Sequence, residues 1–498
     1  MLNRQLFLLI ILALAGCATS LVSSPQEVRP SGCLALYAAV DRAVVEHGTR
    51  PSSPRSLRDF PYLRVNRFLA DYQLTALDTA KQQAWLAQST GLDQAIRQRE
   101  LASLPLSVLQ ALTDQYTGST PLADQLNSCS QALRTHDLAK PERLQVIEGQ
   151  ATVTDDYVTF QRVIGLYPLT GLPVRYGVAR WHKNARELFA QPLEDIIVKG
   201  RLHRFQPPLA EPVVKVDFTR LKRDALGIPQ LGSEQLEVLF NQHAPVWEID
   251  VTGNFDLPGA PYWQADNIPS VDADQPITYR YHSFTQWQKT PLLQLNYLIW
   301  FAERPRTGSF DILGGALDGL IWRVTLDEHG EPLVYDSIHP CGCYHIFFPR
   351  TALRVRPQML DLPEPPLIPQ FAPRLWEGER LVVRIESGTH YIQRVYADTP
   401  TGTEYAWRDY HELYAVATPS HNRRSLFNAD GLVTGTERLE RFLLWPMGVP
   451  SPGAMRERGR HATAFVGRRH FDDANLLDIV FEPALANSAD SRIQAGAK

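Results

Sequence analysis

Near residue 150 the hydrophobic period of this 498-residue chain changes. Before that point apolar residues recur at helical spacing: Cys33, Tyr37, Val40 and Val44, then Val65, Phe68, Leu69 and Tyr72. The stretch 75–88 continues in Ala, Gln and Leu, which favour helix, and Pro51-Ser-Ser-Pro54 marks a turn between helices. After it, Ile277, Tyr279 and Tyr281 alternate with Thr278, Arg280 and His282. Leu293, Leu295, Tyr297, Ile299 and Phe301 alternate with Gln294, Asn296, Leu298 and Trp300. Periods of 3.6 and 2 cannot be satisfied by one kind of segment. The expected fold is therefore α+β, with a helical N-terminal domain over 31–145. A mostly antiparallel β-rich body, sandwich or barrel-like, follows from 150.

Two hairpins are predicted within the body. Segments 320–326 and 333–338 flank a Gly- and Pro-containing turn, and 381–385 and 391–396 flank Glu386-Ser-Gly-Thr389. Prolines 363, 365, 366 and 369 make 361–374 a poor sheet interior, because proline lacks the amide donor. That stretch reads as a linker dividing the body into units 150–360 and 375–483. The Ala-, Ser- and Asp-containing tail, 484–498, reads as disordered. Hydrophobic residues make up 44% and charged residues 21% of the chain, which suits a folded globule. A net charge of −4 with no basic stripe argues against nucleic-acid binding.

The N-terminus carries an address. Arg4 precedes an uncharged apolar run, 6–14, too short for a permanent membrane span. Leu14-Ala-Gly-Cys17 closes it and resembles the lipobox of bacterial lipoproteins. The resemblance implies a signal peptide over 1–16, acylation of Cys17 (palmitate among the acyl groups), and a tether over 17–30. Several acyl chains give stable anchoring. The implied location is the cell envelope, as an outer-membrane lipoprotein facing the periplasm, since Ala18 replaces the Asp associated with inner-membrane retention. With Cys17 acylated, four cysteines remain in an oxidising compartment. Cys33 and Cys129 share the helical region and are expected to pair. The bond would close a loop of roughly 95 residues and contribute about 4 kcal/mol.

The densest chemistry lies in His339-Pro-Cys341-Gly-Cys343-Tyr-His345. Two imidazoles and two thiols are zinc's preferred donors. On a straight strand His339 and His345 would stand roughly 20 Å apart, so Pro340 and Gly342 would have to bend the chain. Three readings stay open: a zinc or catalytic site on His339, Cys341, Cys343 and His345; a tight Cys341–Cys343 disulfide; or buried thiols with hydrogen-bonded histidines. Asp318, Trp322 and His339, with Ser337 and Tyr344, are similar to a motif of the necrosis-and-ethylene-inducing-peptide-like proteins, which are β-sandwiches with a bound divalent metal. Arg323 stands where that family has a metal-binding Glu, and Ala316 where it has a His. The resemblance therefore implies sandwich architecture rather than toxin activity.

A second cluster, Arg460, His461, Arg468, His470 and Asp472, is a candidate site for an anionic glycan or phosphate. Twelve of fourteen histidines follow residue 180, which places any active site in the body. There is no Gly-x-Ser-x-Gly elbow, P-loop or His-Glu-x-x-His motif. The expected function is a binding or scaffold role at the envelope, with an envelope glycan or another envelope protein as partner. The alternative is a metal-dependent hydrolase acting on an envelope polymer such as a glycan, using a His/Cys site around 339–345 and a metal-bound water.

Overall fold

Buried arginine, not only apolar packing, joins the helices of the N-terminal region. The structure is a computed structural model and describes residues 31–48, 50–208, 215–420 and 423–484. The expected signal peptide, Cys17, the expected tether and residues 485–498 lie outside the described residues. Helix α1 (Ser31–Glu46) buries Leu36, Tyr37, Val40 and Val44. A small ribbon follows, β1 (Arg55–Leu57) with β2 (Phe60–Val65). Helix α2 (Thr79–Ala102) is capped by the Asp78 carboxylate, which accepts from the Lys81 amide. Helices α3 (Leu106–Tyr116), α4 (Leu122–Leu138) and α5 (Pro141–Gln150) complete the unit. Cys33 on α1 is disulfide-bonded to Cys129 on α4, with Cα atoms 5.3 Å apart. Arg64 of β2 donates to Asp93 at 3.0 Å and to both oxygens of Glu100 at 2.7 and 2.9 Å. Arg97 donates to Asp93 from the same helix as its partner, at 2.9 and 3.0 Å.

The next segment departs from the expected strand content. Residues 159–190 are helical, as α6 (Thr159–Ile164) and α7 (Tyr167–Ala190). Pro168 sits in the first turn of α7, where its missing amide costs nothing, and Pro173 lies inside the helix. Helix breakers in the sequence hide a helix held by its contacts with the body.

The body is a two-sheet sandwich. The larger sheet has the order β11–β10–β9–β8–β7–β16. Its strands are β7 (Ile277–Trp287), β8 (Thr290–Arg304), β9 (Gly315–Leu326), β10 (Pro332–Ile338), β11 (Ile346–Pro349) and β16 (Ala406–Asp409). The smaller has the order β14–β13–β4–β3–β15. It is made of β3 (Arg201–Gln206), β4 (Val246–Val251), β13 (Arg380–Ile385), β14 (Ile392–Asp398) and β15 (Thr403–Glu404). Between the sheets, Trp247, Ile249, Val383 and Ile385 pack on Leu295, Tyr297, Phe301 and Trp322. Both predicted hairpins form, β9–β10 and β13–β14.

The division into two units does not hold. β13 lies parallel to β4, and β16 lies parallel to β7, so strands from both sides of the Pro-rich stretch share both sheets. The stretch itself is not a free linker. Leu367 is fully buried, its carbonyl accepts from the Phe347 amide at 2.9 Å, and the Ala372 amide donates to Pro349. A proline-rich strap thus covers the edge strand β11, where a missing donor is harmless.

The N-terminal unit docks through Arg99 on Asp409 at 2.9 Å and Phe68 against Phe284. Replacing Arg64 with Met leaves Asp93 and Glu100 buried with one cation between them. The expected result is a loss of about 3–5 kcal/mol, measured by urea denaturation.

Candidate functional site

The seven residues that carry the most chemistry form the connection between β10 and β11, and the turn sends their side chains apart. The Gly342 amide donates to the His339 carbonyl at 2.8 Å, and the His339 amide donates to the Cys343 carbonyl at 3.0 Å. Gly342 has φ +90°, and a Cβ there would stand 2.5 Å from the Ala462 carbonyl oxygen, so only glycine fits. His339 turns inward between the sheets, and His345 turns to the opposite face. Cys341 packs in the apolar cluster behind the large sheet.

The metal reading is therefore corrected. His339, Cys341, Cys343 and His345 do not converge, and among the described residues no group of three or more His, Cys, Asp or Glu is placed to hold a metal ion. Each imidazole is instead held by its own carboxylate. Nor are the two thiols joined: both are free, and the Cys343 amide donates to Cys341 Sγ at 3.4 Å. The metal implied by the necrosis-protein resemblance does not fit either, because Arg323 fills the place of the family's Glu with a guanidinium tied to Asp336. Of the residues in that resemblance, Trp322 is in the core beside Tyr335, while Asp318 and His339 do meet.

Two buried polar chains start from this turn. In the first, His339 Nδ1 lies 3.0 Å from Asp318 Oδ1. Asp318 Oδ2 lies 2.8 Å from His390 Nδ1, and His390 Nε2 is 3.3 Å from Asp256 Oδ1. Burial opposes charge on Asp318, His390 and Asp256. Yet the His339 and His390 imidazoles hold Asp318 well below the carboxylate range. The two carboxylates overcome burial to raise His390. Asp256 is further fixed by the Gly388 amide at 2.7 Å and Ser387 Oγ at 2.9 Å. His339, so oriented, lines a cavity of about 210 Å³ with Trp181, Asn184, Ser337 and Glu386. His390 and Asp256 carry no sequence motif; they meet only because a hairpin turn and the loop after β4 close on the same end of the sandwich.

The second chain lies on the other face of β9 and β10. Arg323 donates to both oxygens of Asp336, at 2.9 and 2.5 Å, and His345 Nε2 donates to Asp336 at 2.9 Å. Burial holds His345 down at about 4, so the ring is neutral, and its Nδ1 is buried without a hydrogen-bond partner. His345 lines a groove of about 660 Å³. The walls are α7 (Val174, Gly177, Val178), residues 443–446, and 462–465. Trp181, Tyr344 and Tyr391 separate groove from cavity; their ring centroids are 4.5–6.2 Å apart. They touch one another and leave no gap for a cation.

One cation, Arg469, lines the groove and donates to Thr463; burial drives the other titratable groups there toward their uncharged forms. Burial pushes His182 down to about 4. The bond to Cys341 and then burial push the Cys343 thiol up. Burial raises Glu440 to about 7 against the pull of Arg304 and Arg438.

The C-terminal cluster forms a seam instead of a ligand site. Arg460 pairs with Asp156 at 2.8 Å and Arg468 with Asp155 at 2.5 Å. His470 faces Asp473, and Asp472 accepts the Gly459 amide. His461 is buried, with neither ring nitrogen partnered. The arginines clamp 155–159 to the C-terminal coil. Compared with known protein families, curated proteins and solved structures, the chain finds no match.

Glu440 supplies a pH test. Its folded value, about 7, lies above the ordinary 4.5, so its neutral form favours folding below 4.5 and that advantage is lost as pH rises through 7. Glu440→Gln should match the parent in urea denaturation at pH 4. It should exceed it by about 3 kcal/mol at pH 8.

Proposed function

We propose that this chain is a lipid-anchored cell-envelope protein, held by acylated Cys17 at the outer membrane and facing the periplasm, with a binding role carried by the groove beside α7. The ligand class is a molecule with an acyl-like apolar body and a small polar end that carries no positive charge. One observation carries this reading: an apolar groove of about 660 Å³ lined by His345, Cys343 and Glu440, with Arg469 as its one cation. That volume falls within the range of small-molecule sites, about 300–1,000 Å³, and a few convergent polar groups on apolar walls are their usual chemistry. Each buried methylene of a ligand would gain about 0.8 kcal/mol before ordering costs. A cationic headgroup would lose its hydration beside Arg469, with no fixed anion to replace it.

A second reading rests on the Asp318-held His339. An imidazole oriented by a carboxylate and facing a cavity has the arrangement of a general base, which supports hydrolysis of an envelope polymer without a metal. The cavity is small and closed by three aromatic rings, so binding at the groove is the reading we favour.

Gly177 provides the test of the groove. A Cβ at this helical position would meet nothing within 4 Å, so Gly177→Leu projects into the groove while adding about 1 kcal/mol of helix propensity. Organic extraction of the purified parent should release a stoichiometric acyl-bearing compound, identified by mass spectrometry, and Gly177→Leu should release none. Equal release, or none from the parent, refutes the reading. For the anchor, Cys17→Ala should abolish acylation and release the body from the membrane fraction; unchanged fractionation refutes it.

A further inference from the structure

Helix α7 has two unlike faces. At 100° per residue its buried members, Gly171, His182 and Phe189, fall within one narrow sector. Leu169, Leu172 and Tyr176 fall together in another and stand in the open. Phe160 and Val163 of α6 extend that stripe. So do Phe442 and Leu443, because 445–447 is fastened to α6: Arg162 donates to the Met447 carbonyl at 2.7 Å, and Gly165 lies directly against Pro446. Phe160, Val163, Leu169, Tyr176, Phe442 and Leu443 are each 62–72% exposed, in a chain where single exposed apolar residues would need no comment.

Charge says what covers this face. From 157 to 186 there is no carboxylate, while Arg175, Arg180, Lys183 and Arg186 are exposed on α7; the first acid on α7, Glu187, lies 3.7 Å from Lys183. On α7, Arg180 and Lys183 continue the apolar sector one and two turns further along. An exposed apolar patch bordered by exposed cations suits a membrane interface, where the apolar side chains reach the acyl boundary and the cations meet anionic headgroups. A protein partner with an apolar patch would not require the acid-free run. Among the described residues no helix is long and apolar enough to cross a membrane, so the face lies on the bilayer and not through it.

We propose that α6, α7 and residues 441–447 form a membrane-seating face whose occupant is a bilayer containing anionic lipid. The proposal rests in part on the lipid-anchor reading above. The fourteen Cα–Cα steps from Cys17 to Ser31 span at most about 50 Å, which keeps the body beside the bilayer that holds the anchor. Leu443 stands on the face and also lines the groove, so the groove mouth would open at lipid depth.

The test uses the full acylated chain in phosphatidylglycerol/phosphatidylethanolamine vesicles. An environment-sensitive fluorophore is placed at Leu169→Cys, with Leu106→Cys in the N-terminal unit as background. Lipids brominated near the headgroup should quench position 169 about threefold more than position 106, and replacing phosphatidylglycerol with phosphatidylcholine should at least halve that difference. Vesicle flotation is read in parallel. A chain that floats with equal quenching at the two positions, or none at 169, overturns the face and spares the anchor. Quenching at 169 that persists in a Cys17→Ala chain keeps the face and shows that seating does not depend on the anchor. A chain that neither floats nor is quenched overturns both.

Discussion

The burial of β8 and β9 on both faces organises the rest of the molecule. Tyr297 and Trp300 point to opposite sides of the same strand, and both are fully buried. One face is covered by the smaller sheet. The other needs the 260–272 ribbon, the coil between 410 and 471, and the docked N-terminal unit. No single layer of this chain is wide enough for both tasks. The helical unit and the long C-terminal coil are therefore walls of the core, and a cut between them would open apolar strand surface to water.

Covering a sheet twice also buries polar groups. Each of the two chains from the 339–345 turn resolves this by setting every carboxylate against an imidazole or a guanidinium: Asp256, His390, Asp318 and His339 inside the sandwich, Arg323, Asp336 and His345 behind it. An isolated charge at these depths would be untenable, whereas their partners favour the charged forms of Asp318, His390, Arg323 and Asp336. The groove follows the other solution. Apart from Arg469, burial shifts its titratable groups toward their neutral forms, so it takes apolar surface at little electrostatic cost.

Much of this was legible in the chain. The period switch near 150 announced helices followed by strands, and the turn residues at 327–332 and 386–389 announced two hairpins that form. Other parts were hidden for definite reasons. Pro168, Pro173 and Gly177 disguised α7, since local propensity argues against a helix that tertiary contacts stabilise. The prolines near 365 read as a linker because a strap along a sheet edge has the same composition as a free segment. The His/Cys cluster suggested a shared metal because sequence spacing cannot show that Gly342 reverses the chain and sends His339 and His345 to opposite faces. Asp256 and His390, 134 positions apart, give no local signal at all.

The parallel pairing of β4 with β13 has a consequence for how the chain comes to be folded. Val246 waits for Val382, about 130 residues later, and the strap that guards β11 lies between them. Until that late stretch arrives, β4 has one open edge and the sandwich has one closed face. Loop closure over such a distance is slow, and an unpaired edge invites other chains. The body therefore acquires its fold as a whole, after nearly all of its sequence is present, and a nascent chain truncated before residue 380 holds a half-sandwich in need of a guardian.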